Sequence, residues 1–262
     1  MSVETWLRLA LVPAAVWLAS LAARRWGHTV SGYLGGLPLI GGPITLYLAL
    51  DHGADFAAHS AMVTLAAIVG QAAHLTAFAH VGRLARWPVA LVAGWASFAC
   101  TAVLAAALPL TPALALALAG VALYAAWRGL PRPRDDAGLP TIPALELRLR
   151  LAAALALAIV ILWGAGEFGP VVSGVLLSVP VTGSIMPPFT LALYGSDAVA
   201  RLARGFLVGL SGFAAFFFVV ACCISSLGIT VAFVAALAAA LAAAFAVTRI
   251  AAFRRSIQVG QR

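Results

Sequence analysis

The chain has 262 residues, of which 64% are hydrophobic and 9% charged, and its 16 basic and 8 acidic residues give a formal charge of +8. A soluble domain of this composition would expose more apolar surface than water tolerates, so a soluble globular fold is excluded and an integral membrane protein is expected. Every basic residue is Arg, and these are spread over short loops with no interleaved basic and aromatic patch, which argues against nucleic acid as a partner.

Apolar runs long enough to cross about 30 Å of hydrocarbon fall at 5–23, 29–50, 60–81, 87–107, 111–127, 149–166, 170–194, 203–225 and 228–248. These are nine predicted membrane helices. The first follows Glu4 and Arg8 and precedes Arg24 and Arg25, the wrong polarity for a cleaved signal peptide, and is read as retained. With nine helices drawn, fifteen of the sixteen Arg residues fall on one side and only Arg8 on the other. Basic residues near helix ends stay in the cytoplasm, so the N-terminus is expected outside and the C-terminus inside. Cys100, Cys222 and Cys223 lie within spans and read as small packing residues.

Shifting Gly27–His80 by 142 residues onto Gly169–Cys222 makes 16 of 54 positions identical without a gap. By composition about one in ten would match, so an internal repeat is expected. The matches include Ser31, Gly32, Pro38, Gly41, Gly53, Asp55 and Gly70, which face Ser173, Gly174, Pro180, Gly183, Gly195, Asp197 and Gly212. Span 2 and its mate, span 7, are five helices apart. Five is odd, so the mates run in opposite directions, and two inverted four-helix repeats are expected, the recurrent plan of secondary transporters.

Spans 2 and 7 are also the broken ones. Each carries a Gly and Pro cluster near its middle, Gly35 to Pro43 in one and Ser178 to Pro188 in the other. Proline inside a helix removes a backbone hydrogen bond, and in hydrocarbon bulk water cannot repair the loss. Such segments are tolerated where they are buried in protein or line a wet cavity. The expected substrate-binding residues are therefore Pro38, Ile40, Gly41, Gly42 and Pro43 against Pro180, Thr182, Gly183, Ser184 and Pro187, with the hydroxyls of Thr45, Ser178 and Thr190 nearby. The competing reading is close packing of small residues.

Gln71 and His74 lie one turn apart on span 3 and join the site as the polar groups at membrane depth; their repeat mates are Phe213 and Phe216. Asp55 and Asp197 each follow a glycine by two residues and read as a glycine stop followed by an N-cap carboxylate. Glu167 reads as a solvated carboxylate at the outer end of span 6. No residue set has the spacing of a metal site, a catalytic triad or a phosphate loop, so no cofactor, metal or enzymatic activity is expected.

The run from Arg25 through Ser31-Gly32 and Leu37-Pro38-Leu39 to Pro43, followed by Gly53, resembles the GlpM-like family of small bacterial membrane proteins. Those are similar to a single copy of the repeat, and the second copy departs from the pattern with Val179-Pro180-Val181 and Pro187-Pro188. The resemblance implies a bacterial inner membrane and a loose link to envelope polysaccharide and glycerol metabolism.

The fold class expected is an all-α integral membrane protein, a single domain over 1–262. Repeat 1 covers 5–107, a connecting helix and cytoplasmic linker cover 108–148, and repeat 2 covers 149–248. The expected function is alternating-access transport of a small, neutral or weakly charged solute around the breaks. The alternative is a non-transporting scaffold or accessory subunit of an envelope polysaccharide or lipid assembly system. Membrane lipid, the solute and a second copy in a homo-oligomer are the expected partners.

Overall fold

The structure, a computed structural model, describes residues 3–134, 144–164 and 169–260. All regular structure among them is helical: α1 Val3–Gly36, α2 Gly41–His52, α3 Ala54–Ala66, α4 Ile68–Val81, α5 Trp87–Ala106, α6 Pro112–Gly129, α7 Ala144–Gly164, α8 Gly169–Leu177, α9 Val181–Leu227 and α10 Ile229–Gly260. Proline stands in the first turn of α5 and of α6, where its missing N–H costs nothing, and the Thr111 hydroxyl caps α6 by accepting from Leu114 N at 3.2 Å. Glu167 and linker residues 135–143 lie outside the described residues.

Among the described residues six stretches are long and apolar enough to cross a membrane: Pro13–His52, Ala54–Val81, Trp87–Ala105, Pro112–Gly129, Pro170–Leu227 and Ile229–Arg249. The chain is thus a multi-pass helical membrane protein, but nine separate helices are not found. Gly27 (φ 83°) and Gly195 (φ 78°) each bend the chain with helix continuing directly on both sides. Spans 1 and 2 therefore join in one stretch and spans 7 and 8 in another, while span 6 runs beyond the described part of α7.

α1 and α9 form the centre, with α10 packed on α9, α5 and α6 on α4, and α7 and α8 against the α1, α3 and α9 faces. The outer helices turn Val92, Val103, Leu104, Val121, Val234 and Leu237 outward, a lipid-facing surface, and bury alanines such as Ala115, Ala119, Ala232, Ala236 and Ala240 inward. Cys223 is half-buried and packs against the main core as expected, whereas Cys100 and Cys222 are exposed and are not the packing residues expected.

Gly53 has φ 91°, a backbone region that costs a residue with a Cβ about 1–2 kcal/mol. It stops α2 by donating to the Ala49 carbonyl and opens α3 directly. The carboxylate cap expected of Asp55 is not formed, because the glycine turn already occupies the cap position and leaves Asp55 in the first helical turn. There it accepts from Ser225 Oγ at 2.7 Å, while Asp197 pairs with Arg83 at 3.6 Å.

Two backbone-to-backbone contacts fix the centre. The second half of α1 lies along residues 202–210 of α9, running the same way: Gly32 abuts Leu202, Gly36 abuts Phe206, Gly205 abuts Thr29 and Gly209 abuts Tyr33. Each helix contributes two glycines four residues apart, the spacing that lets membrane helices pack backbone against backbone. Likewise α8 lies along α3, with a methyl on Gly174 meeting the Ser60 carbonyl at 2.6 Å. The contacts are reciprocal under the shift of 142: Gly32 against Leu202 becomes Gly174 against Ser60. In the same way, Gly70 against Phe98 and Ala102 matches Gly212 against Ala240 and Ala244.

Gly32→Ala or Gly209→Ala is expected to cost about 1–3 kcal/mol by overpacking. Gly120→Ala, whose added methyl meets nothing within 4 Å, is expected to gain up to about 1 kcal/mol from helix propensity. Thermal unfolding in detergent separates them; equal effects would contradict the contact.

Candidate functional site

The two breaks have one backbone design. In the first, Leu37 N donates to Leu34 O at 3.2 Å, Leu39 N to Leu37 O at 2.8 Å and Gly42 N to Pro38 O at 2.9 Å. In the second, Val179 N donates to Leu176 O at 3.2 Å, Val181 N to Val179 O at 2.7 Å and Ser184 N to Pro180 O at 2.7 Å. Pro38 and Pro180 occupy equivalent places, each accepting the first bond of the helix that follows. Neither α2 nor α9 has a side-chain N-cap, and the amides of Gly41, Thr182 and Gly183 have no hydrogen-bond acceptor among the described residues.

A polar row on α3 and α4 meets the second break. Ser60 Oγ donates to Pro170 O at 3.1 Å, Thr64 Oγ1 lies 2.9 Å from Gly174 O, Gln71 Nε2 donates to Ser178 O at 2.7 Å and His74 Nε2 lies 3.2 Å from Gly183 O. These side chains follow at intervals of four, seven and three residues, one face of a continuous helical path, and the carbonyls they reach rise in step along α8 and into α9. Pro187 explains the last bond. It has no N–H to give the carbonyl four residues before it, Gly183, so His74 supplies a donor instead. His74 is fully buried; its Nδ1 lies against the Gly94 backbone without a geometrically sound hydrogen bond.

The first break meets an apolar wall. A methyl on Gly41 would touch Phe217 and Phe213 at 3.2 and 3.4 Å, and one on Gly42 would touch Phe216 at 3.3 Å. Phe213 and Phe216 are the repeat mates of Gln71 and His74, as Leu202 and Phe206 are of Ser60 and Thr64. One scaffold therefore carries a polar row in one half and an aromatic row in the other.

The breaks meet each other. Ile40 packs against the buried cluster that holds Val181, Ile185 and Met186 and also against the one that holds Ile44, Leu48 and Leu177, and Thr182 Cγ2 would lie 3.0 Å from a methyl on Gly35. Pro38, Gly41, Gly42, Pro180, Thr182, Gly183 and Pro187 are buried, while Ile40, Pro43 and Ser184 are half-buried. Of the residues expected from sequence, Thr182 lies against Gly35 of the first break, Gln71 and His74 meet the second break, Gly41 and Gly42 face Phe213, Phe216 and Phe217, and Pro43 lies in the first turn of α2. Two of the hydroxyls expected nearby are engaged elsewhere. Thr45 Oγ1 donates to Gly41 O at 2.7 Å and Ser178 Oγ to Val175 O at 2.6 Å, the usual back-bonding of hydroxyls in apolar helices. The Ser184 and Thr190 hydroxyls are buried without a partner.

Below the junction lies a charged group that the sequence reading missed. Arg150 is 1% exposed and forms an ion pair with Glu146 one turn earlier on α7. Its Nη1 approaches Met186 Sδ at 3.1 Å, its guanidinium lies 5.4 Å from the Phe189 ring centroid, and Tyr194 Oη donates to Glu146 Oε2 at 3.1 Å. His28 packs on the Tyr194 ring at 5.0 Å. Position near a helix end made Arg150 look like one more topogenic charge. The repeat carried a better signal: shifted by 142, Glu146 and Arg150 fall on Glu4 and Arg8.

No group of three His, Cys, Asp or Glu side chains among the described residues converges to hold a metal ion. Comparison of the chain with family models, curated proteins and solved structures returns no match.

Replacing His74 with Phe is expected to cost about 1–3 kcal/mol by leaving the Gly183 carbonyl unpaired. In a Pro187→Ala background, where a backbone N–H becomes available to that carbonyl, the cost is expected to fall by at least half. A double-mutant cycle on unfolding in detergent checks this, and additive effects would contradict the assignment.

Proposed function

We propose that this chain is a secondary transporter of a small solute, working by alternating access around the α1/α2 and α8/α9 breaks. The observation that carries the reading is the junction itself. Two discontinuous helices meet there, offering unbonded amides from the starts of α2 and α9 and a buried, unpartnered hydroxyl from Ser184. Transporters build solute sites at midplane depth from such half-helix ends.

The direction of the helices supports inverted copies. The second half of α1 runs parallel to residues 202–210, and α8 runs parallel to α3. With Gly53 turning the chain between α2 and α3, the repeat mates α1 and α8 run oppositely. Two inverted four-helix units related by an axis in the membrane plane follow, and rocking one against the other around the junction would expose it to each face in turn. Arg83, Arg132 and Arg204 gather at one end of the bundle, where Arg83 donates to Arg132 O at 2.9 Å and Arg204 to Leu130 O at 3.0 Å. That end is taken as cytoplasmic, with the N-terminus outside and the C-terminus inside. The resemblance to GlpM-like proteins is the ground on which a bacterial inner membrane is proposed.

The aromatic wall at Gly41 and Gly42 favours a second reading, a scaffold whose breaks are dry packing elements. Accessibility separates the two. In protein with Cys100, Cys222 and Cys223 replaced, Ile40→Cys and Thr182→Cys are probed with impermeant thiol reagents from each face. Transport predicts labelling of the same residue from both faces. If neither residue reacts from either face, the breaks are dry and the scaffold reading replaces this one.

A further inference from the structure

We infer that the solute is a singly charged oxyanion and that Arg150 recognises it, with Glu146 standing in for the solute's negative group while the site is closed. The inference rests on the transporter reading and narrows its substrate from neutral or weakly charged to monoanionic.

Both charges of the Glu146–Arg150 pair lie on α7, and the links to α9 run through Tyr194 Oη, which donates to Glu146, and through Met186 Sδ, not through the ion pair itself. Acid and base lie on the same helix one turn apart, and Arg150's own contacts with α9 are a thioether sulfur, a weak acceptor, and the face of Phe189. A brace between helices would place the two charges on different ones. An apolar pair of similar volume would pack as well without the cost of removing two charges from water. The guanidinium is also under-used: its Nε is buried without a partner, although the group has five donors suited to the fork of an oxyanion. Besides accepting from Tyr194, the local carboxylate does one thing more. It neutralises a buried cation when nothing else is bound.

The position fits. Met186 and Phe189 flank Pro187 and Pro188 on the first turns of α9 after the break, and Met186 belongs to the same packed cluster as Ile40, Val179 and Val181. The starts of α2 and α9 point unbonded amides and the positive ends of their dipoles at the junction. Charge balance sets the class. Exchanging one carboxylate for one monoanion leaves the buried charge unchanged, whereas a dianion adds an uncompensated negative and a neutral solute leaves nothing to displace Glu146. The same acid and Arg spacing recurs in the other copy as Glu4 and Arg8, one pair for each copy of an inverted design.

The test is ligand-dependent thermal unfolding of the full-length protein in uncharged phosphatidylcholine nanodiscs. The probes are sodium propionate, sodium phosphate at a pH where it is monobasic, and propionamide as the uncharged isostere, with sodium chloride holding ionic strength constant. Propionate or monobasic phosphate is expected to raise the unfolding temperature of the wild type, and propionamide to leave it unchanged. Glu146→Gln removes the internal competitor and is expected to lower the half-saturating anion concentration by roughly tenfold, the equivalent of one charge-assisted hydrogen bond. The double variant Glu146→Gln with Arg150→Gln carries no buried charge, is expected to fold, and should show no response. An anion response that persists in the double variant, or is no tighter in Glu146→Gln than in wild type, overturns the assignment. So does a response that appears only when phosphatidylglycerol is added to the nanodisc, which would make the ligand a lipid headgroup. Binding can fail here while the breaks still label from both faces, so the two readings fall separately.

Discussion

A helix broken inside hydrocarbon leaves carbonyls and amides that no solvent can satisfy, and the architecture of this protein turns on how it pairs them. Ser60, Thr64, Gln71 and His74 run down one face of α3 and α4 and meet the carbonyls of Pro170, Gly174, Ser178 and Gly183 in order. Each unpaired carbonyl would cost about 1–3 kcal/mol. The row therefore holds α8 in register against α3, and that register sets where the second break lies and which amides of α9 remain unbonded.

The other half solves the same geometric problem without polar groups. The residues of α9 equivalent to the polar row are Leu202, Phe206, Phe213 and Phe216, and with Gly205 and Gly209 they pack on α1 and α2 through glycine contacts and aromatic rings. The first break keeps its carbonyls in local turns and is covered by Phe213, Phe216 and Phe217. Arg150 and Glu146 add the one buried ion pair among the described residues to the polar half, beside the α9 break.

Much of this was legible in the sequence. The spans stand out as apolar runs, the breaks as Gly and Pro clusters against an apolar background, and Gln71 and His74 as rare polar groups at depth. Ser60 and Thr64 were not legible, because hydroxyls are common in membrane helices and usually bond their own backbone, as Thr45 does here. Glu146 and Arg150 were hidden by their place at a helix start, where Arg ordinarily signals topology; only the fold places α1 and α9 over them. The merging of spans at Gly27 and Gly195 depends on backbone angles that Gly permits without demanding. Asp55 was misread because a residue type suited to capping does not reveal that a glycine has taken the position.

The central claim is that water reaches the junction of the two breaks. Hydrogen exchange of the protein in lipid nanodiscs, followed on peptides covering 36–43 and 178–184, tests it most directly. The account predicts that the amides of Gly41, Thr182 and Gly183, which have no acceptor among the described residues, exchange well ahead of those in the interiors of the flanking helices, α4 and the part of α9 beyond its first turns. Protection of both segments equal to that of the flanking helices would mean a dry junction and would contradict it.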